Sequence, residues 1–148
     1  MATIELDSSN WQKVISETTS VMVDFWAPWC PWCMRLLPVF EEVSRQYEGR
    51  LIFAKVNVEE QQEIAQLNGI SGIPVLKLFC NGRNTGELVG YMTKEKLVSE
   101  LDRMLSTVSD CLAQSSVLSK ETHKMSSMSS VGNVLKRPYF YHMIISDT

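Results

Sequence analysis

The chain has 148 residues, of which 45% are hydrophobic and 21% charged, with a formal net charge of -3. That length fits one domain of ordinary size or a smaller domain with an appendage. The mildly acidic balance argues against broad binding to nucleic acid or to anionic membranes. Residues 1–20 lack a basic start followed by an apolar run, and no stretch nears the ~20 apolar residues of a bilayer span. These features predict a cytoplasmic protein, and a monomer is expected.

Thr3 to Leu6 reads as a short first strand, and Ser8-Ser9-Asn10 supplies capping residues for a helix over about 9–18 with Trp11, Val14 and Ile15 on one face. Val21 to Trp26 is a second strand, apolar on both sides except at Asp24, which predicts a central position covered on both faces. From Met34 to Tyr47, Leu36, Leu37, Phe40, Val43 and Tyr47 recur with helical spacing. Leu51 to Val58 is a third strand carrying one charge, Lys55. Glu60 to Leu67 reads as a short helix stopped by Asn68-Gly69, and Ile70 to Pro74 as a loop. Val75 to Cys80, the turn dipeptide Asn81-Gly82 and Glu87 to Gly90 form a hairpin signal. Thr93 caps a last amphipathic helix. The order βαβαβ followed by ββα predicts an α/β fold in which parallel strands precede an antiparallel hairpin and helices cover both faces.

Composition shifts near Ser106. Residues 106–148 read as a Ser-rich, flexible extension with an aromatic end. Its last stretch, Val134 to Ile145, reads either as a terminal tail ordered by local contacts or as a strand docking in cis or in trans.

The chemistry concentrates in Trp29-Cys30-Pro31-Trp32-Cys33, where a strand turns into a helix. Two cysteines separated by two residues in that context read as a redox pair. The competing reading is a zinc half-site. It would need two further ligands, and Cys80, Cys111, His123 and His142 come singly, with no second Cys-x-x-Cys. No metal is expected. Cys80 and Cys111 read as spectators, with a disulfide between them, or an intermolecular one at Cys111, as the alternative.

With Asp24-Phe25-Trp26-Ala27-Pro28 leading into the pair, Pro38 in the helix, Lys55 in the next strand, Gly72-Ile73-Pro74 before the hairpin, and Asn81-Gly82 and Val89-Gly90 around it, residues 3–105 closely resemble thioredoxin. The resemblance implies a thioredoxin domain over residues 1–105: a five-stranded mixed sheet with helices on both faces, followed by the C-terminal extension. It implies a dithiol–disulfide oxidoreductase that needs no bound cofactor, acts on disulfide-containing proteins and is recharged by a separate thioredoxin reductase. Two departures stand out. Pro31-Trp32 replaces the usual Gly-Pro and is closer to the Pro-Tyr of glutaredoxins, and Met34 replaces a commonly basic residue.

Cys30, at the helix start, is expected to be the nucleophile, because free N–H groups and the positive end of the helix dipole favour a thiolate there. Cys33, one turn further in, is expected to be the buried resolving thiol. Asp24, in a strand buried on both faces, is a candidate proton acceptor for Cys33; the alternative is a purely structural pair with Lys55, which matches the thioredoxin lysine near this aspartate. Pro74 aligns with the family's cis proline, whose loop turns the backbone of Ile73 toward an extended substrate. Trp29, Ile73, Val89 and Gly90 would complete a shallow apolar patch. Trp26 is expected to pack near the site, Trp11 in ordinary core, and Pro38 to kink its helix.

Proline at the first helical position leaves the N–H of Trp32 free to point at the Cys30 sulfur. Pro31 and Trp32 are therefore expected to tune the pair, moving its potential from thioredoxin's ~-270 mV toward the ~-200 to -230 mV of glutaredoxins. A protein-disulfide reductase is the leading expectation. A glutathione-coupled or oxidising variant, or an interaction module switched by redox state, is the rival.

Overall fold

The structure, a computed structural model, describes residues 3–17, 20–106 and 142–143. The elements in chain order are β1 (Thr3–Glu5), α1 (Trp11–Glu17), β2 (Ser20–Trp26), α2 (Pro31–Gln46), β3 (Ile52–Asn57), α3 (Gln62–Leu67), β4 (Gly72–Ile73), β5 (Val75–Cys80), β6 (Arg83–Val89), α4 (Lys94–Leu105) and β7 (His142–Met143). Five strands form one sheet in the order β1-β3-β2-β5-β6. The β1–β3 and β2–β3 pairs are parallel, whereas β2–β5 and β5–β6 are antiparallel. This is the mixed five-stranded thioredoxin fold that the resemblance implied.

Alternation along the strands divides the interior into two layers. Val21, Val23 and Phe25 of β2 meet Ile15 of α1 and Ile64 and Ala65 of α3 on one face. On the other, Met22, Phe53, Leu76 and Leu78 meet Leu36, Phe40 and Val43 of α2 and Leu97, Leu101 and Met104 of α4. Phe40 packs its ring 4.9 Å from that of Phe53, joining α2 to the sheet. Burying a side chain of this kind stabilises the fold by about 1.5–3 kcal/mol. Because β2 lies at the centre with helices above and below, all of Ser20 to Phe25 is buried, Asp24 included.

The Asn81-Gly82 turn is as expected, with φ of 51° and 84°, the left-handed pair that a two-residue hairpin turn needs. The second hairpin strand begins at Arg83 rather than Glu87; its exposed, polar first half lies at the sheet edge, so it lacks the apolar run that announces a strand. The helix that carries the cysteines begins at Pro31, the first helical position as expected, and its apolar spacing continues through Val43. Pro38 lies inside α2.

Gly72–Ile73, expected to be loop, is strand β4. Its ladder partner is β7, parallel, with Gly72 opposite His142 and Ile73 opposite Met143. β7 falls within Val134 to Ile145, for which a strand docking in cis was one of the two readings; the seat it takes on Gly72–Ile73 left no local sequence signal. Apart from Ser106 and β7, the extension expected over residues 106–148, with Cys111 and His123, lies outside the described residues. Among the described residues no helix is long and apolar enough to cross a membrane.

Candidate active site

Cys30 and Cys33 are disulfide-bonded, with Cα atoms 5.2 Å apart. Cys30 is the N-cap of α2, in extended conformation with φ -96° and ψ 106°. Its Sγ takes the place of a capping hydroxyl and accepts the N–H of Cys33 at 3.2 Å. This geometry corrects one expectation: the donor to the sulfur is the N–H of Cys33, three positions on, as in an ordinary helix cap, and not that of Trp32. Trp32 is held through its ring instead. The guanidinium of Arg35 lies 5.1 Å from its centroid and the ring of Tyr91 lies 5.6 Å away.

Both cysteines are fully buried, Cys30 at 0% exposure. Burial was expected of Cys33; for Cys30 it means that the attacking sulfur is closed off in this state. The Cys30 Sγ lies 3.9 Å from the carbonyl oxygen of Ile73, and the Ile73–Pro74 peptide is cis. The N–H of Gly90 donates to the Pro74 carbonyl at 2.9 Å, which brings the end of β6 against the same loop. Trp29 and Val89 are 48% and 52% exposed, and Met34 is also exposed. Ile73 and Gly90 are buried, so of the four patch residues only Trp29 and Val89 offer apolar surface. Ile73 and Gly90 contribute backbone.

Asp24 shares the β2 face with Met22, the side covered by α2. Both its carboxylate oxygens are buried with no hydrogen-bond partner, as is Nε1 of Trp26. Burial pushes its carboxyl up from 3.8 to about 8, against the attraction of Lys55 and with a smaller push from Glu5. Lys55 is opposite Asp24 in the β2–β3 register, but its Nζ makes its ion pair with Glu5, at 3.7 Å. The direct Asp24–Lys55 pair, the alternative to the proton-acceptor reading, is absent: the amine end is partly exposed and reaches the carboxylate that is also solvated.

Trp26 packs against the cluster of buried side chains that includes both cysteines, and so does half-buried Trp11, edge-on to Phe79 at 5.6 Å. Cys80, buried at the end of β5, is disulfide-bonded rather than a spectator thiol. No group of His, Cys, Asp and Glu suited to a metal ion occurs among the described residues. Sequence reasoning missed the Arg35–Trp32–Tyr91 stack. The helical i, i+3 spacing of Trp32 and Arg35 was the available signal.

The thioredoxin family model matches residues 2–103. Among named proteins, the chain is 40% identical over 104 residues to "Thioredoxin" of Alicyclobacillus acidocaldarius, covering 70% of this chain and 99% of that one. It is 39% identical over 99 residues to "Thioredoxin 1" of Nostoc sp., covering 67% and 92%. It is also 34% identical over 103 residues to spinach "Thioredoxin M-type, chloroplastic", covering 69% and 57%. A family match over most of the described domain, joined to a bonded cysteine pair at a helix start, leaves one conclusion: this chain belongs to the thioredoxin family and carries dithiol–disulfide exchange chemistry at Cys30 and Cys33.

Proposed function

We propose that the protein reduces disulfides in other proteins, with Cys30 as nucleophile, Cys33 as resolving thiol and Asp24 as proton acceptor. In the reduced protein the Cys30 thiolate attacks one sulfur of a substrate disulfide. A Cys30–substrate bond forms, the substrate S–S bond breaks, and the leaving thiolate takes a proton from water. Cys33 then gives its proton to the Asp24 carboxylate and attacks the Cys30 sulfur. The intramolecular disulfide forms, the Cys30–substrate bond breaks, and the second substrate sulfur departs as a thiolate that takes a proton from water, so two electrons pass to the substrate. A separate thioredoxin reductase returns two electrons and two protons. A protein held as a dithiol works in a reducing compartment, and the cytoplasm is the compartment in this reading. The protein acts as a monomer on protein substrates, without nucleic acid or membrane.

The observation that carries this reading is Cys30 at the cap of α2, receiving the N–H of Cys33. The helix start stabilises negative charge on that sulfur and so makes it the better attacking group. The partnerless, buried Asp24 with a carboxyl near 8 supports the proton transfer. Exposed Trp29 and Val89 support docking of a protein substrate beside the sulfur, with the backbone of Ile73, Pro74 and Gly90 as its floor. The reducing direction is favoured over the oxidising one: the amide on the Cys30 sulfur belongs to Cys33, which Pro31-Trp32 and Gly-Pro both leave in place.

The test is reduction of insulin with dithiothreitol as electron source. The expected result is turnover that is lost in Cys30→Ala and Cys33→Ala. Absence of turnover, with redox-dependent capture of a partner, would replace the enzyme by a switched interaction module.

A further inference from the structure

Strand β4 is only two residues long, and among the described residues its ladder partner is β7, from the far C-terminal part of the same chain. The two residues it offers, Gly72 and Ile73, immediately precede Pro74, and the carbonyl oxygen of Ile73 is 3.9 Å from the Cys30 sulfur. Under the function proposed above, on which this inference rests, that backbone is where an extended substrate adds its own main-chain hydrogen bonds. A strand already laid along Gly72–Ile73 uses the same backbone groups. In the same state Cys30 and Ile73 are both fully buried, although exchange requires a substrate sulfur to reach Cys30 in line.

We propose that the segment containing His142–Met143 is a built-in competitor for the protein-docking edge, so that a protein disulfide gains the Cys30 sulfur only by displacing β7 from β4. A ladder of two residues is short enough to be displaced. Its tether to the domain keeps it at a fixed effective concentration, independent of dilution. The substrate then binds only the fraction of molecules in which the seat is empty, and its apparent affinity falls by that fraction. A seat filled in three molecules of four raises the apparent KM about fourfold. The competition leaves the chemical step at saturating substrate untouched.

The experiment compares the full chain with the full chain carrying His142→Pro and Met143→Pro, since proline removes the N–H groups that a ladder needs. Amide hydrogen exchange in the segment containing Gly72 and Ile73 reads the seat, and insulin reduction with dithiothreitol reads the site. The expected result is faster exchange in that segment, a KM for insulin lowered about fourfold and an unchanged kcat. Faster exchange with an unchanged KM overturns the competition, and equal exchange in the two chains overturns the seat itself. If neither chain reduces insulin, the reductase reading fails and the competition with it, while the exchange data still report whether β7 occupies β4.

Discussion

Asp24 and Lys55 stand opposite each other in the β2–β3 ladder, yet no hydrogen bond joins them. Lys55 pairs with Glu5, leaving the buried carboxyl with no hydrogen bond and only the through-space attraction of that amine for compensation. Desolvation therefore outweighs attraction, and the group holds its proton to about pH 8.

This sets the sign of a pH dependence. The unfolded chain releases the Asp24 proton near 3.8 and the folded protein near 8, so between those values the folded state binds more protons. Its contribution to stability is greatest below pH 4, declines as pH rises, and levels off above about 8. The urea midpoint should fall between pH 5 and 8.5. Asp24→Asn, which cannot ionise, should remove that slope and be more stable than the parent above pH 8 by about 2–4 kcal/mol, several-fold short of the full desolvation cost of a buried charge.

Kinetics should show the same group at work. Release of the second substrate thiol from the Cys30 mixed disulfide is expected to accelerate as pH rises through about 8, as Asp24 becomes the carboxylate that takes the Cys33 proton. Asp24→Asn should slow this step at pH 7 by roughly tenfold to a hundredfold and leave formation of the mixed disulfide unchanged. Rapid-quench trapping separates the two steps, and equal slowing of both would remove Asp24 from the proton-transfer role.

Cys33→Ser should accumulate a stable mixed disulfide on Cys30 with a protein substrate, whereas Cys30→Ser should not. Mass spectrometry of the trapped species, followed by peptide mapping, checks the assignment. Trapping on Cys33 would reverse the two roles.

Tyr47 braces α2 against α4: its hydroxyl donates to Asp102 Oδ1 at 2.7 Å and also lies 3.3 Å from the Val98 carbonyl. Burial and the Asp102 contact push its phenol up to about 12. Tyr47→Phe keeps the ring packed near Phe53 and removes the brace. It should cost about 1–2 kcal/mol, measured by urea unfolding.

Gly90 has φ of 87° while its N–H holds the Pro74 carbonyl. A side chain there is strained in the left-handed region. Gly90→Ala should cost about 1–2 kcal/mol and raise the KM for a protein disulfide more than it lowers kcat, because the docking backbone moves while the sulfurs stay. Steady-state insulin kinetics reads the split.

Much of this was legible because it is local. The alternation of Val21, Val23 and Phe25, the helical spacing of Leu36, Phe40 and Val43, and the Asn81-Gly82 turn each announce their element within a few residues. Cys30 at a helix start followed from Pro31 and the strand before it. What was not legible depends on where long side chains and distant segments end up. Lys55 reached Glu5 rather than Asp24, because the partner of a flexible amine is chosen by solvation as well as by register. The β4–β7 ladder joins residues far apart in the chain through main-chain groups, which every residue carries and no motif marks. The Trp32 ring found Arg35 and Tyr91, and of the two amides that a helix cap can accept, those of Trp32 and Cys33, the sulfur takes that of Cys33.

The cap bond from Cys33 to Cys30 makes one backbone amide a gauge of the redox state. When the disulfide opens and Cys30 ionises, the same N–H faces a full negative charge, and a charge-assisted hydrogen bond is shorter and stronger than a neutral one. The amide resonance of Cys33 should therefore shift with reduction and titrate with the thiolate, so a single nitrogen label reports electron and proton together, with no substrate or dye present.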